Sequence, residues 1–164
     1  MTDREPTEFD DLIADLDPAM LIVTTTDGDT RAGCLVGFAT QCSIDPPRFI
    51  VCLSKRNRTL DLARKAGAIA IHAPDEEALS LAELFGGETG DEIDKFERCE
   101  WSAGPRGLPI LGGVEAWFSA RVIDELDLGD HAGLVTEPEE TRRGSVLGPL
   151  RLHAASRIDP GHEA

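Results

Sequence analysis

The feature that most restricts this chain is a double proline set between two extended runs. Asp45-Pro46-Pro47 separates residues 32–40, which are mostly small and apolar, from Phe49-Ile50-Val51-Cys52-Leu53. Proline fixes φ, lacks a donor and pushes the preceding residue out of helical space. A helix cannot run through this corner, whereas strands can end and restart there. Residues 49–53 are apolar on both faces, as in a strand covered on both sides.

Other segments point the same way. Residues 20–26 are β-branched and strand-like. Asp27-Gly28 follows as a turn, so residues 20–26 and 32–40 read as a hairpin. Residues 68–71 form a further short strand. In residues 114–123, Val114, Ala116, Phe118, Ala120 and Val122 share one face, and Trp117 and Ile123 lie opposite. A second apolar face on one strand suggests an interface. Residues 149–158 are expected to supply a last strand.

Helices enter in blocks. Phe9, Leu12, Ile13 and Leu16 repeat at helical spacing ahead of Pro18. Thr59 is expected to cap a helix carrying Leu60, Leu62, Ala63 and Ala66, closed at Gly67. Asp75 is expected to cap another, with Ala78, Leu79, Ala82 and Phe85 toward the core and Gly86-Gly87 as its stop. Residues 91–98 suggest a helical turn. Residues 102–113 and 137–144 read as loops, and 159–164 as a frayed tail. The whole is mainly β with inserted helices, not an alternating βαβ fold. No repeat or linker divides the 164 residues, so a single domain is expected over 1–164.

Charge and composition exclude several functions. A net charge of −15 repels a phosphate backbone, so nucleic acid is not an expected partner. No apolar run approaches membrane length, and the acidic start MTDREPTEFDD lacks the basic region of a signal peptide. A cytoplasmic protein is expected. Cys34, Cys42, Cys52 and Cys99 form no CxxC pair or zinc spacing, and read as buried free thiols in a reducing compartment. No metal is expected. There is no Ser-His-Asp, Cys-His or paired-carboxylate arrangement, and no G-x-G-x-x-G.

One cluster stands out against the acidic background. Lys55, Arg56 and Arg58 precede a predicted helix start at Thr59. Backbone N–H groups, the helix dipole and a hydroxyl at such a place can hold a phosphate.

Taken in order, several weak motifs resemble the flavin reductase family. They are Gly33-Cys34-Leu35-Val36-Gly37-Phe38-Ala39-Thr40-Gln41-Cys42-Ser43-Ile44-Asp45-Pro46-Pro47, then Leu53-Ser54-Lys55-Arg56-Asn57-Arg58-Thr59, Asp94-Lys95-Phe96, Trp101, Gly107-Leu108-Pro109-Ile110-Leu111 and Gly129-Asp130-His131. The resemblance covers roughly residues 18–135. It implies a split β-barrel, a homodimer, and FMN, with FAD as the alternative, in a groove near the dimer interface. Cys34, Leu35, Val36 and Gly37 resemble the segment along the isoalloxazine edge, with Thr40, Gln41 and Ser43 following. Where the family usually has Thr or Ser near 35 and 37 and Ser near 41, this chain has Leu35, Gly37 and Gln41; Thr40 and Ser43 keep polar groups. Leu53, Ser54, Lys55, Arg56 and Thr59 resemble the phosphate-holding loop. His131 resembles the histidine beside the nicotinamide.

The implied activity is an NAD(P)H-dependent flavin reductase that supplies reduced flavin to a partner monooxygenase. The alternatives are another FMN-dependent oxidoreductase on the same scaffold, or a flavin-binding module without activity. His72 and His153 have no match that suggests a function; His72 is expected to pack.

Overall fold

The computed structural model describes residues 4–88, 92–144, 148–159 and 161. Its main element is a seven-stranded antiparallel sheet in the order β2-β1-β5-β8-β9-β4-β3. The strands are β1 (Leu21–Thr26), β2 (Arg31–Val36), β3 (Ala39–Ser43), β4 (Arg48–Ser54), β5 (Ala68–His72), β8 (Trp117–Asp127) and β9 (His131–Arg142). Two short strands, β6 (Trp101–Ala103) and β7 (Pro109–Leu111), form a separate ribbon.

The two edge strands, β2 and β3, are neighbours in sequence, joined through Gly37 and Phe38. The sheet therefore curls until its ends share one connection. The Cys52 N–H donates to the Phe38 carbonyl at 2.8 Å, holding that connection against β4. No ladder among the described residues joins β2 to β3, so the sheet remains open. The expected 32–40 run breaks at this point into two strands.

Helix α2 (Arg58–Ala66) lies within the curl and packs on β1, β2, β4 and β5. Its Leu60 and Ala63 join Val23, Val36, Val51, Leu53, Ile69, Ile71 and Leu134 in the central core. Full burial of each large side chain stabilises the fold by about 1.5–3 kcal/mol. The helix begins at Asn57, not at Thr59: the Asn57 side chain accepts the Thr59 N–H at 2.9 Å, and Thr59 is buried one turn position further in. Asn outranks Thr as a cap, and Thr59 falls inside the first turn. Gly67 ends the helix with φ 71°, a left-handed value that favours glycine.

A second layer covers the outer side of β1 and β2. Asp75 caps a 3₁₀ turn, Glu76–Ala78, that runs into α3 (Leu79–Gly87). Ala82 and Phe85 are buried as expected. Phe85 closes over Gly33 so tightly that a Cβ there would lie 2.7 Å from its ring.

The structure departs from the sequence reading in several places. Residues 137–144 are not a loop: β9 continues to Arg142, because Glu137 and Glu139 are held by Arg121 and Arg106 at the sheet surface. Residues 149–158 do not form a strand. Pro149 and Arg151 make isolated bridges to Asp75 and Ala19, and α4 (Leu152–Ala155) follows. The expected loop 102–113 contains β7 and a 3₁₀ turn, Pro105–Gly107. The alternating strand begins at Trp117, although Val114 and Ala116 are buried as expected. Of the expected turn at 91–98, the structure shows a 3₁₀ turn, Lys95–Glu97; Asp91 lies outside the described residues, as does most of the expected tail.

Helix α1 (Glu8–Asp15) forms where predicted, but buries none of its residues. Phe9, Leu12 and Leu16 are 66, 57 and 66% exposed. Its apolar face is presented outward, with the Thr7–Asp10 capping box fixing its start.

Candidate active site at the β4–α2 loop

Three segments far apart in sequence meet at the C-terminal end of β4. Ser54 pairs with His131 across β4 and β9. The Lys55 N–H donates to the Asp130 carbonyl at 2.9 Å. The Phe38 ring meets the His131 ring edge-on, with centroids 5.1 Å apart. The β2–β3 connection, the β4–α2 loop and the β8–β9 turn thus form one surface.

The loop is tightly braced. Ser54 is buried, and its Oγ accepts the Arg56 N–H at 3.2 Å. The Asn57 N–H donates to the Ser54 carbonyl at 2.9 Å. These bonds form one turn that leads into α2 and sets the side chains of residues 55–58 around its positive end. Lys55 Nζ lies 2.7 Å from Asp127. That contact, together with the Gly129 N–H, holds the Asp127 carboxyl below its ordinary range. Nδ1 of His131 lies 2.8 Å from Asp130, and that hydrogen bond lowers the Asp130 carboxyl likewise.

On its other side the loop borders a cavity of about 330 Å³. Arg56, Asn57, Arg58 and Thr59 form one wall, the start of β2 a second, and Lys95 with its neighbours a third. The volume is within the range of small-molecule sites. Arg31 ion-pairs with Asp94 at 3.9 Å, and its guanidinium lies 4.7 Å from the Trp101 ring centre. Arg31, Arg56, Arg58 and Lys95 line the cavity, with Asp29, Glu88, Glu92 and Asp94 set among them.

Lys95 is the residue that sequence reasoning missed. It is buried, and its ammonium donates to the Gly33 carbonyl at 3.2 Å and the Phe85 carbonyl at 3.0 Å. The first acceptor belongs to an edge strand, and the second to the last turn of α3, where carbonyls lack helical partners. Burial draws the ammonium below the usual lysine range. Lys95 stood in a motif already quoted, but nothing in the sequence marks it as buried. Asn57 was also overlooked, although Asn two residues before Thr59 is a recognisable cap signal.

The remaining expected site residues divide by side-chain direction. Arg56 and Thr59 line the cavity, and Lys55 lies on the Asp127 side of the same loop. Cys34, Val36 and Leu53 point into the core and offer only backbone to a ligand. Burial pushes the Cys34 thiol up. Leu35 packs on the opposite face with Met20 and Ala82, so the missing hydroxyl at 35 would not face the loop. Gly37 lies in the β2–β3 connection; Thr40 and Gln41 are exposed on β3, and Ser43 ends it after a bulge. The four cysteines are free, but only Cys34 is fully buried, and Cys42 is exposed. His72 packs as expected.

The chain's own sequence decides its kinship: the model of the flavin reductase like domain family matches residues 17–159. The chain belongs to the flavin reductase-like family. It is 32% identical over 159 residues to FMN reductase (NADH) RutF of Ancylobacter novellus, covering 94% of this chain and 87% of that protein. It is 31% identical over 121 residues to stachydrine N-demethylase reductase subunit Stc3 of Rhizobium meliloti, covering 71% of this chain and half of that protein. A flavin reductase domain protein from Arthrobacter sp. FB24 superposes with a TM-score of 0.79 at 23% identity, covering 89% of each chain, which shows the shared fold. In this flavin reductase-like chain, the surface where residues 38, 54–55 and 130–131 meet lies wholly within the residues that the family model matches. No helix among the described residues is long and apolar enough to cross a membrane.

Proposed function

We propose that this chain is an FMN-binding, NADH-dependent flavin reductase of the cytoplasm. We infer further that it works as a homodimer on a split barrel and passes reduced flavin to a partner monooxygenase. The observation that carries the reading is the convergence of Phe38, Ser54, Lys55 and His131 on one surface beside the cavity that Arg56, Arg58 and Thr59 line.

The residues present fit a flavin phosphate. The braced Ser54–Thr59 turn offers a helix N-terminus and cationic side chains to a doubly charged group, in a chain of net charge −15. Lys55, Arg56 and Thr59 would hold the phosphate, and backbone along residues 34–37 would meet the ring system. Bound FMN supplies an acceptor, N5, for the hydride that leaves the nicotinamide. The protein's own part is to hold the loop and to present His131, against which Phe38 packs edge-on. His131, fixed by Asp130, would orient the nicotinamide. The name of the Ancylobacter relative supports FMN and NADH, and that of the Rhizobium relative, the reductase subunit of an N-demethylase, supports a partner enzyme that takes the electrons.

The test is steady-state oxidation of NADH by the purified protein with and without FMN, repeated with NADPH and with FAD. Turnover that depends on added FMN and prefers NADH is expected. No acceleration over the protein-free rate with any of the four combinations would remove the enzymatic reading.

A further inference from the structure

The end of the sheet remote from the β4–α2 loop holds a second pocket that the proposed reaction does not use. Here β1 and β8 begin and β5 and β9 finish. Leu21, Phe49, Ile71, Trp117 and Phe118 enclose a space of about 310 Å³. Ile71 is buried, whereas Leu21, Phe49, Trp117 and Phe118 are each only partly covered. Phe49 and Phe118 meet edge-on at 5.2 Å, which gives the pocket a fixed aromatic wall. Arg142 and Arg143 form its polar edge, and no carboxylate lines it.

The two arginines depart from the pattern of the rest of the chain. With 31 acidic residues against 16 basic ones, a carboxylate partner is seldom far away. Arg48, Arg64, Arg106 and Arg121 hold carboxylates at 3.0, 2.6, 2.6 and 2.7 Å. The guanidinium groups of Arg142 and Arg143 have no ionic or hydrogen-bonding partner among the described residues. Arginine donors suit the planar geometry of a carboxylate. An apolar, aromatic-walled pocket with paired donors at its edge selects a ligand with a hydrophobic body and one anionic end.

We propose that this pocket binds a small apolar carboxylate, its ring or branched chain against Phe49, Trp117 and Phe118 and its carboxylate on Arg142 and Arg143. The site is separate from the flavin surface: His131 and Arg142 stand at opposite ends of β9, at most roughly 36 Å apart along an extended strand. The proposal therefore does not depend on the flavin reading.

The probe is phenylacetate, with the uncharged phenylacetamide as its isostere, titrated into the full chain by calorimetry and tryptophan fluorescence. Saturable binding of the acid is expected, at least tenfold tighter than the amide, since a charge-assisted hydrogen bond is worth about that factor or more. An Arg142→Gln, Arg143→Gln variant should lose at least tenfold. Ala73→Met, which fills the pocket without touching its charge, should lose as much, with circular dichroism confirming both variants folded. Trp117→Phe should abolish the fluorescence response, which locates the bound acid at this pocket. Equal affinity for acid and amide would overturn the proposal, as would binding unchanged in both pocket variants or competition by FMN. So would binding that disappears as protein concentration rises, because a second copy would then fill the mouth.

Discussion

Ser54 and His131 are directly paired across β4 and β9, so the residue that opens the basic loop and the one histidine of the Gly-Asp-His turn are held side by side by backbone hydrogen bonding. The two lie 77 positions apart in sequence. This pairing makes the loop and the histidine parts of one surface, and the first two predictions follow from it.

Replacing Lys55 and Arg56 together by alanine should weaken FMN binding about ten- to a hundredfold, the cost of losing charge-assisted phosphate contacts. Lys55 and its partner Asp127 are exposed, so stability should change little. Calorimetric titration with FMN, alongside thermal unfolding, checks both parts. Unchanged affinity would remove the phosphate from this loop.

His131→Ala should slow hydride transfer by up to about a hundredfold while FMN remains bound, because positioning dominates such a step. The imidazole is only partly covered, and it rests on Phe38 and Asp130 rather than in the core. Anaerobic single-turnover reduction measures the rate. A normal rate in a folded, FMN-loaded variant would exclude His131 from the site.

Assembly should be dimeric. Ile123, Leu126 and Leu128 project from β8 and the turn after it at 38, 43 and 51% exposure, and α1 presents Phe9, Leu12 and Leu16. Apolar surface of this extent usually marks an interface. Light scattering should report twice the 17.7 kDa chain mass. A mass of one chain across a wide concentration range would contradict it.

Stability should fall on mild acidification because of His72. The ring is buried, lies 3.1 Å from the Ile22 carbonyl through Nδ1, and accepts the Leu111 N–H at 3.1 Å through Nε2. The second bond requires an unprotonated Nε2. Burial lowers the pKa from 6.5 to about 4. Between these values the unfolded chain binds more protons, so unfolding free energy rises with pH there and is lost as pH falls from 6.5 toward 4. The loss between pH 7 and pH 5 should be about 2 kcal/mol. Denaturant unfolding at the two pH values measures it, and His72→Gln should flatten the difference.

Lys95→Met should destabilise the fold by about 2–4 kcal/mol, since the carbonyls of Gly33 and Phe85 lose their donor in a buried setting. The decisive measurement is hydrogen exchange at β2, which should quicken more than at β9. Uniform protection would show that Lys95 does not anchor this edge.

By itself the sequence determined the elements whose signals are local. The Asp27-Gly28 hairpin, the Pro46-Pro47 break, the Gly67 stop and the alternation of residues 114–122 all depend on neighbouring residues and on periods of 2 or 3.6. The order of the motifs was likewise enough to indicate the family.

Tertiary structure decided what depends on distant partners. Residues 137–142 look like a charged loop in isolation, but Arg121 and Arg106 offset their charge and the β8 ladder supplies hydrogen bonds, so they extend β9. Lys95 looks like a surface lysine until two carbonyls from β2 and α3 accept its protons. The split of residues 32–40 at Gly37 follows from the curl that brings β3 onto β4 while β2 stays on β1. The direction of each side chain along 34–41, toward the core, toward α3 or outward, is fixed by that curl. A strand's alternation leaves the choice of face open, and only the packed sheet makes it.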